Sequence, residues 1–167
     1  NCFSDLNSCP HIIVQNKDND HFTLNFMNCY FENNHNPKKG GAIQIGNNLN
    51  TVNTKVTFND CQFVGNTADE SGGAIVIQTY YGCQIENCLF TENHAKEGSS
   101  AIFIETEISI NNNNSPISNS EISIQSCVFS KNGENNENGI VSVDYATNSK
   151  VNIDSCSLTD SKVNGYP

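Results

Sequence analysis

Arginine is absent from this chain: its 8 basic residues are all lysines, set against 18 acidic ones for a net charge of -10. Phosphate backbones are held mainly by Lys and Arg, so a nucleic-acid partner is excluded. An acidic surface also repels anionic lipid headgroups. No stretch approaches the roughly 20 consecutive apolar residues of a membrane helix, so direct membrane insertion is not expected. A charged start followed by an apolar h-region is missing too. The chain opens on NCFSDLNSCP without an initiator Met, which reads as a mature or excerpted segment of something longer.

The 167 residues fit one domain. Their 8 cysteines point to an oxidising compartment, hence an extracellular or cell-surface location. Asparagine clusters in NNLNTVN, NNNN and NGENNEN, a composition suited to left-handed turn positions. Two stretches are nearly the same: GGAIQIG from Gly40 and GGAIVIQ from Gly72.

They belong to a longer repeat. LNFMNCYFENN, VTFNDCQFVGN, CQIENCLFTEN, ISIQSCVFSKN and VNIDSCSLTDS start at Leu24, Val56, Cys83, Ile122 and Val151. Each reads apolar-x-apolar-x-x-Cys-x-Phe/Leu. The first four place Asn three residues after the Phe, at Asn34, Asn66, Asn93 and Asn132. Eight residues past each Asn comes a second apolar run, AIQI, AIVI, AIFI or IVSV, preceded by GG, GG, SS or NG. The steps between Cys29, Cys61, Cys88, Cys127 and Cys156 are 32, 27, 39 and 29 residues. Fixed strands joined by connections of variable length mean that each unit supplies the same core face while its loops bulge outward. Period-2 alternation with β-branched residues argues against helical repeats. A propeller blade needs about four strands, and only two or three short ones are visible per unit.

The expected fold is therefore all-β, a right-handed parallel β-helix of about five coils beginning near residues 24, 56, 83, 122 and 151. Residues 1–23 form an N-terminal partial coil or cap, and residues 24–167 the coils. Stacked about 4.8 Å apart, five coils make a rod about 24 Å long. Alternation turns Val56, Phe58, Cys61 and Phe63 inward and Thr57, Asn59 and Gln62 outward. The glycine pair permits a sharp turn with φ > 0. The outward pairs on the first strand read Thr23/Asn25, Thr57/Asn59, Gln84/Glu86, Ser123/Gln125 and Asn152/Asp154, which is not the flat threonine grid of an ice-binding surface.

GGAI at Gly40 and Gly72, with FENN, FVGN, FTEN and FSKN, resembles the repeat of the chlamydial polymorphic outer membrane proteins, surface adhesins of the autotransporter type, and related repeats in large surface proteins of protists. The resemblance covers roughly Leu24 to Val143, departs at SSAI and NGIV, and fails in the last unit, where LTDS lacks the Asn. It implies an extracellular β-helical passenger serving adhesion or surface architecture.

Three readings of the cysteine column stay open: small apolar residues filling one interior column, disulfides between adjacent coils, and metal binding. Parallel Cβ vectors make the disulfide torsion awkward, and one Cys per coil lacks the CxxC clustering of a zinc site. Cys2 and Cys9 lie off the column, where a local disulfide fits. Cys83 takes an inward valine's place. His35 and His94 follow the turn asparagine in alternate coils, about 10 Å apart. That is too far to share a metal ion, so they read as surface residues. The oxygen-rich loops at Lys17 and Thr67 lack a recognised calcium spacing. Asn113-Asn114-Ser115, in the longest insertion, is the one N-glycosylation acceptor.

Many parallel β-helices cleave acidic polysaccharides, but lyases of that class use a basic residue beside calcium-bound carboxylates, and hydrolases use clustered carboxylates. Asp60, Glu86 and Asp154 are scattered, and the position before Cys reads Asn28, Asp60, Asn87, Ser126 and Ser155. The expectation is a non-enzymatic surface protein without cofactor or resident metal. It would bind other protein chains or cell-surface glycans, or copies of itself stacked through the helix ends. The rival is a polysaccharide-binding or polysaccharide-degrading module.

Overall fold

A computed structural model describes residues 3–4, 12–14, 22–46, 54–79, 81–106, 120–133, 139–144 and 149–159. Strands β1 (Phe3–Ser4), β2 (Ile12–Val14) and β3 (Phe22–Met27) come first. The next coil holds β4 (Tyr30–Glu32), β5 (His35–Asn36), β6 (Ile43–Ile45) and β7 (Thr54–Asn59). The same order repeats as β8 (Gln62–Val64), β9 (Thr67–Ala68), β10 (Ile75–Thr79) and β11 (Gly82–Glu86). It repeats again as β12 (Leu89–Thr91), β13 (His94–Ala95), β14 (Ile102–Thr106) and β15 (Glu121–Gln125). Strands β16 (Val128–Ser130), β17 (Val141–Asp144), β18 (Lys150–Asp154) and β19 (Ser157–Thr159) complete the described chain.

Equivalent strands stack into sheets ordered β1-β4-β8-β12-β16-β19, β2-β6-β10-β14-β17, β3-β7-β11-β15-β18 and β5-β9-β13. Every described pairing is parallel. Parallel neighbours that recur once per coil define a parallel β-helix of about five coils, as the repeat predicts. The sequence shows two or three strands per unit, and three coils contain a fourth, the two-residue strands β5, β9 and β13. Among the described residues there is no helix.

The inward columns form the core. Val56, Phe58, Cys61 and Phe63 are buried, Gln62 is exposed, and Thr57 and Asn59 are partly so. Phe31, Phe63, Phe90 and Phe129 stack with centroids 4.9, 4.9 and 5.0 Å apart, the coil pitch read out in rings. Phe26 and Phe58 form a shorter stack at 4.7 Å, and Phe58 meets Phe63 edge-on. Such ring pairs contribute about 0.5–1.5 kcal/mol each beyond the area they bury. The opposite wall is isoleucine: Ile43, Ile75 and Ile102 lie in one column, Ile45, Ile77 and Ile104 in the next. Cys83 pairs in register with Val56, fully inside.

The corners divide the glycine pair into two roles. Gly40 and Gly72 carry the positive φ, +72° and +64°. Gly41 and Gly73 do not; they are small because coils meet backbone to backbone there, and a Cβ at Gly41 would run into the carbonyl oxygen of Gly73. Ser99 and Ser100 turn the next coil without left-handed backbone. The other corners use left-handed residues in two columns. One precedes each column cysteine (Asn28, Asp60, Asn87, Ser126, Ser155), and the other comprises Asn33, Gly65, Glu92 and Lys131.

One expected register is corrected. The outward pair of the first coil is Asn25/Met27, since Asn25 pairs with Thr57 and Met27 with Asn59, while Thr23 pairs with Lys55. The displaced pairing passes over Met27 because a long apolar side chain breaks the alternation; it stands 59% exposed.

Candidate functional site

Two polar-capable columns climb the rod, and together they are where its chemistry is concentrated. Asn34, Asn66, Asn93 and Asn132 are buried, the last three completely. None of them has left-handed backbone; the residue just before each one makes the turn. The asparagine side chain points along the rod instead. Asn93 Oδ1 accepts from the backbone N and from Nδ2 of Asn66, both at 3.0 Å, while Asn93 Nδ2 donates to Phe63 O at 2.9 Å and to Asn132 Oδ1 at 3.1 Å. The Asn34–Asn66 step repeats this at 3.1 and 2.8 Å. Buried polar groups cost stability unless paired, and here each one pairs with the neighbouring coil.

Cys29, Cys61, Cys88, Cys127 and Cys156 form the second column and are carried as thiols rather than as disulfides between coils. The first four are buried and Cys156, in the last described coil, is partly exposed. The residue after each cysteine donates its backbone N–H to the carbonyl of the cysteine one coil earlier: Gln62 to Cys29 (2.8 Å), Leu89 to Cys61, Val128 to Cys88 and Ser157 to Cys127 (all 2.9 Å). Each thiol donates to the carbonyl two residues before it, as Cys61 does to Asn59 O (3.3 Å), Cys88 to Glu86 O (3.1 Å) and Cys127 to Gln125 O (3.2 Å). Neighbouring thiols in the column shift one another's acidity: Cys88 beside it makes Cys61 more acidic, and Cys88, with Cys127 and Cys61 on either side, becomes less so. Cys83, off the column and wholly desolvated, is pushed up to about 12.

The remaining candidates do not converge. His35 and His94 both pair with Thr67, one on each side, so a full coil separates them. Asp69, in the loop at Thr67, is ion-paired with Lys96 at 2.7 Å, which holds its carboxyl below the usual range. Asp60 makes a turn, and Glu86 and Asp154 face solvent. Among the described residues no three ligating side chains gather round a point. Cys2, Cys9, the loop at Lys17 and Asn113 lie outside the described residues.

The repeat pattern did not single out the C-terminal end of the stack as an apolar surface. Val151, Ile153 and Leu158 continue inward columns of the core yet are 37%, 54% and 51% exposed.

Stacked parallel coils with one-per-coil side-chain columns define a solenoid of the β-helix class. Within it, residues 28–46 and 60–78 match the family model of the Chlamydia polymorphic membrane protein repeat. The chain is thus similar to that repeat over two coils, each match running from the left-handed residue before Cys through the Gly-Gly corner into the strand beyond. No curated protein and no solved structure matches the chain.

Proposed function

We propose that this chain is a non-catalytic shaft of an extracellular, cell-surface protein, serving adhesion or surface assembly, and that copies meet end to end. One observation carries the reading: the exposed Val151, Ile153 and Leu158 prolong columns whose other members are core. At the opposite edge of the same sheet, Leu24 and Phe26 of β3 present the same columns only partly buried. Among the described residues β18 and β3 are the two edges of that sheet; an edge strand is a template for another strand, and a second copy offers the matching β3 edge. The similarity to a Chlamydia membrane-protein repeat supports surface placement.

Sedimentation velocity over rising concentration tests this. The expected result is concentration-dependent growth into longer rods, abolished by Ile153→Lys. A monomer at every concentration overturns the end-to-end part. A second reading, a polysaccharide-binding module, draws on the outward column Asn25, Thr57, Gln84, Ser123 and Asn152, whose amide and hydroxyl groups suit sugar hydroxyls. A glycan array with lyase and hydrolase assays separates the two: bound or cleaved glycan favours the module, flat responses the shaft.

A further inference from the structure

Among the described residues the sheet that runs from β1 to β19 has six strands, whereas the sheets from β2 to β17 and from β3 to β18 have five each. A second copy whose β2 and β3 continue past β17 and β18 carries both five-stranded sheets on without a break. In the six-stranded sheet that placement brings two strands to one level. Strand β19 of the first copy and β1 of the second both fall between β16 of the first and β4 of the second. One of them has to leave. Strand β19 is three residues long and β1 two. Register separates them further. Phe31, Phe63, Phe90, Phe129 and Leu158 form one column, and the position that β1 offers opposite Phe31 is Ser4. The resident strand thus ends an apolar column on serine, while β19 continues it with half-exposed Leu158. Removal of apolar surface from water favours the leucine.

We propose, resting on the end-to-end reading above, that β1 gates the N-terminal end of the rod and that a second copy of this chain joins by strand exchange, its β19 taking the place of β1 on β4. Strand β19 keeps its pairing with β16 and the hydrogen bonds that hold it there, Ser157 N to Cys127 O (2.9 Å) and Lys131 N to Thr159 O (3.1 Å). Its other edge then meets β4 of the next copy. The columns set Ser157 opposite Tyr30, Leu158 opposite Phe31 and Thr159 opposite Glu32. Three residue pairs replace the two that β1 makes. Until then β1, tethered to its own β4, has the advantage of a high effective concentration, so isolated copies are self-capped. Every join has the same polarity, and the outermost β1 closes the N-terminal end of the rod.

Sedimentation velocity and hydrogen–deuterium exchange on the full chain test this. In rods, relative to dilute monomer, exchange should rise at residues 3–4 and fall at residues 157–159. Ser4→Asp, which sets a charge at that register position, should tighten association about tenfold. Ser4→Leu, which gives β1 the leucine that β19 brings, should weaken it about tenfold. Leu158→Asp, at the exposed end of the stack, should prevent rods. Rods in which residues 3–4 stay protected, or in which residues 157–159 lose protection, overturn the exchange and leave end-to-end growth standing. An association constant that both Ser4 variants leave unchanged does the same. Absence of rods from the wild-type chain at every concentration overturns the end-to-end reading itself, and the exchange with it.

Discussion

The asparagine and cysteine columns climb the same coils five residues apart, yet they do opposite things. The asparagines are polar side chains made structural: Asn66 and Asn93 each accept two hydrogen bonds from one coil and donate to another. A one-residue slip would orphan those groups, so this column fixes register. The cysteines fill space in the same core and make weak bonds to carbonyls that already have backbone donors. Register is set by the column that cannot be left unpaired.

The strongest way to break that contrast is Asn93→Ala. It leaves the buried N–H of Asn66 and the carbonyl of Phe63 without their side-chain partners, at about 3–5 kcal/mol for the unsatisfied groups together. Cys88→Ser, whose hydroxyl can still donate to Glu86 O, costs about 1–2 kcal/mol. Urea denaturation of both variants, with unchanged m-values, measures the difference; equal losses would erase the distinction.

A smaller effect concerns Cys83. Burial raises its pKa in the folded chain from 9.0 to about 12. Below pH 9 the thiol is protonated folded or unfolded, and its contribution is constant. As pH rises from 9 toward 12 the unfolded thiol ionises and the folded one does not, so stability falls, by about 1 kcal/mol at pH 10. Denaturation at pH 8 and pH 10 checks this, and Cys83→Val, which copies the Val56 position, should flatten that part of the slope.

The smallest effect sharpens the corners. Ser126 sits at φ +51°, so Ser126→Gly relieves left-handed strain and gains about 0.5 kcal/mol after the entropy cost of glycine. A rise in the thermal midpoint is the expected reading.

Much of this architecture is legible in the chain itself. Apolar-x-apolar-x-x-Cys-x-Phe carries the inward faces of two sheets, and alternation alone places Val56, Phe58, Cys61 and Phe63 correctly. The features that stay hidden do so for physical reasons. Strands β5, β9 and β13 are two residues long, too short to show a period. Asn34, Asn66 and Asn93 come directly after turn residues and read as turns themselves, because the inward direction of an asparagine depends on a partner 27 to 39 residues away. The second glycine of each pair looks like a second turn residue, when its constraint is the backbone of the next coil. Exposure of Ile153 and Leu158 depends on whether another coil covers them, which no local pattern encodes.

Parallel stacking of the coils, one repeat per turn, underlies every column in the molecule, and phenylalanine ring contacts test it most directly. Nuclear Overhauser spectra on a chain with labelled phenylalanine should connect Phe63 to Phe31 and Phe90, and Phe90 to Phe129, with no contact between Phe31 and Phe90. A direct Phe31–Phe90 contact, or Phe63 without either neighbour, would contradict the stack.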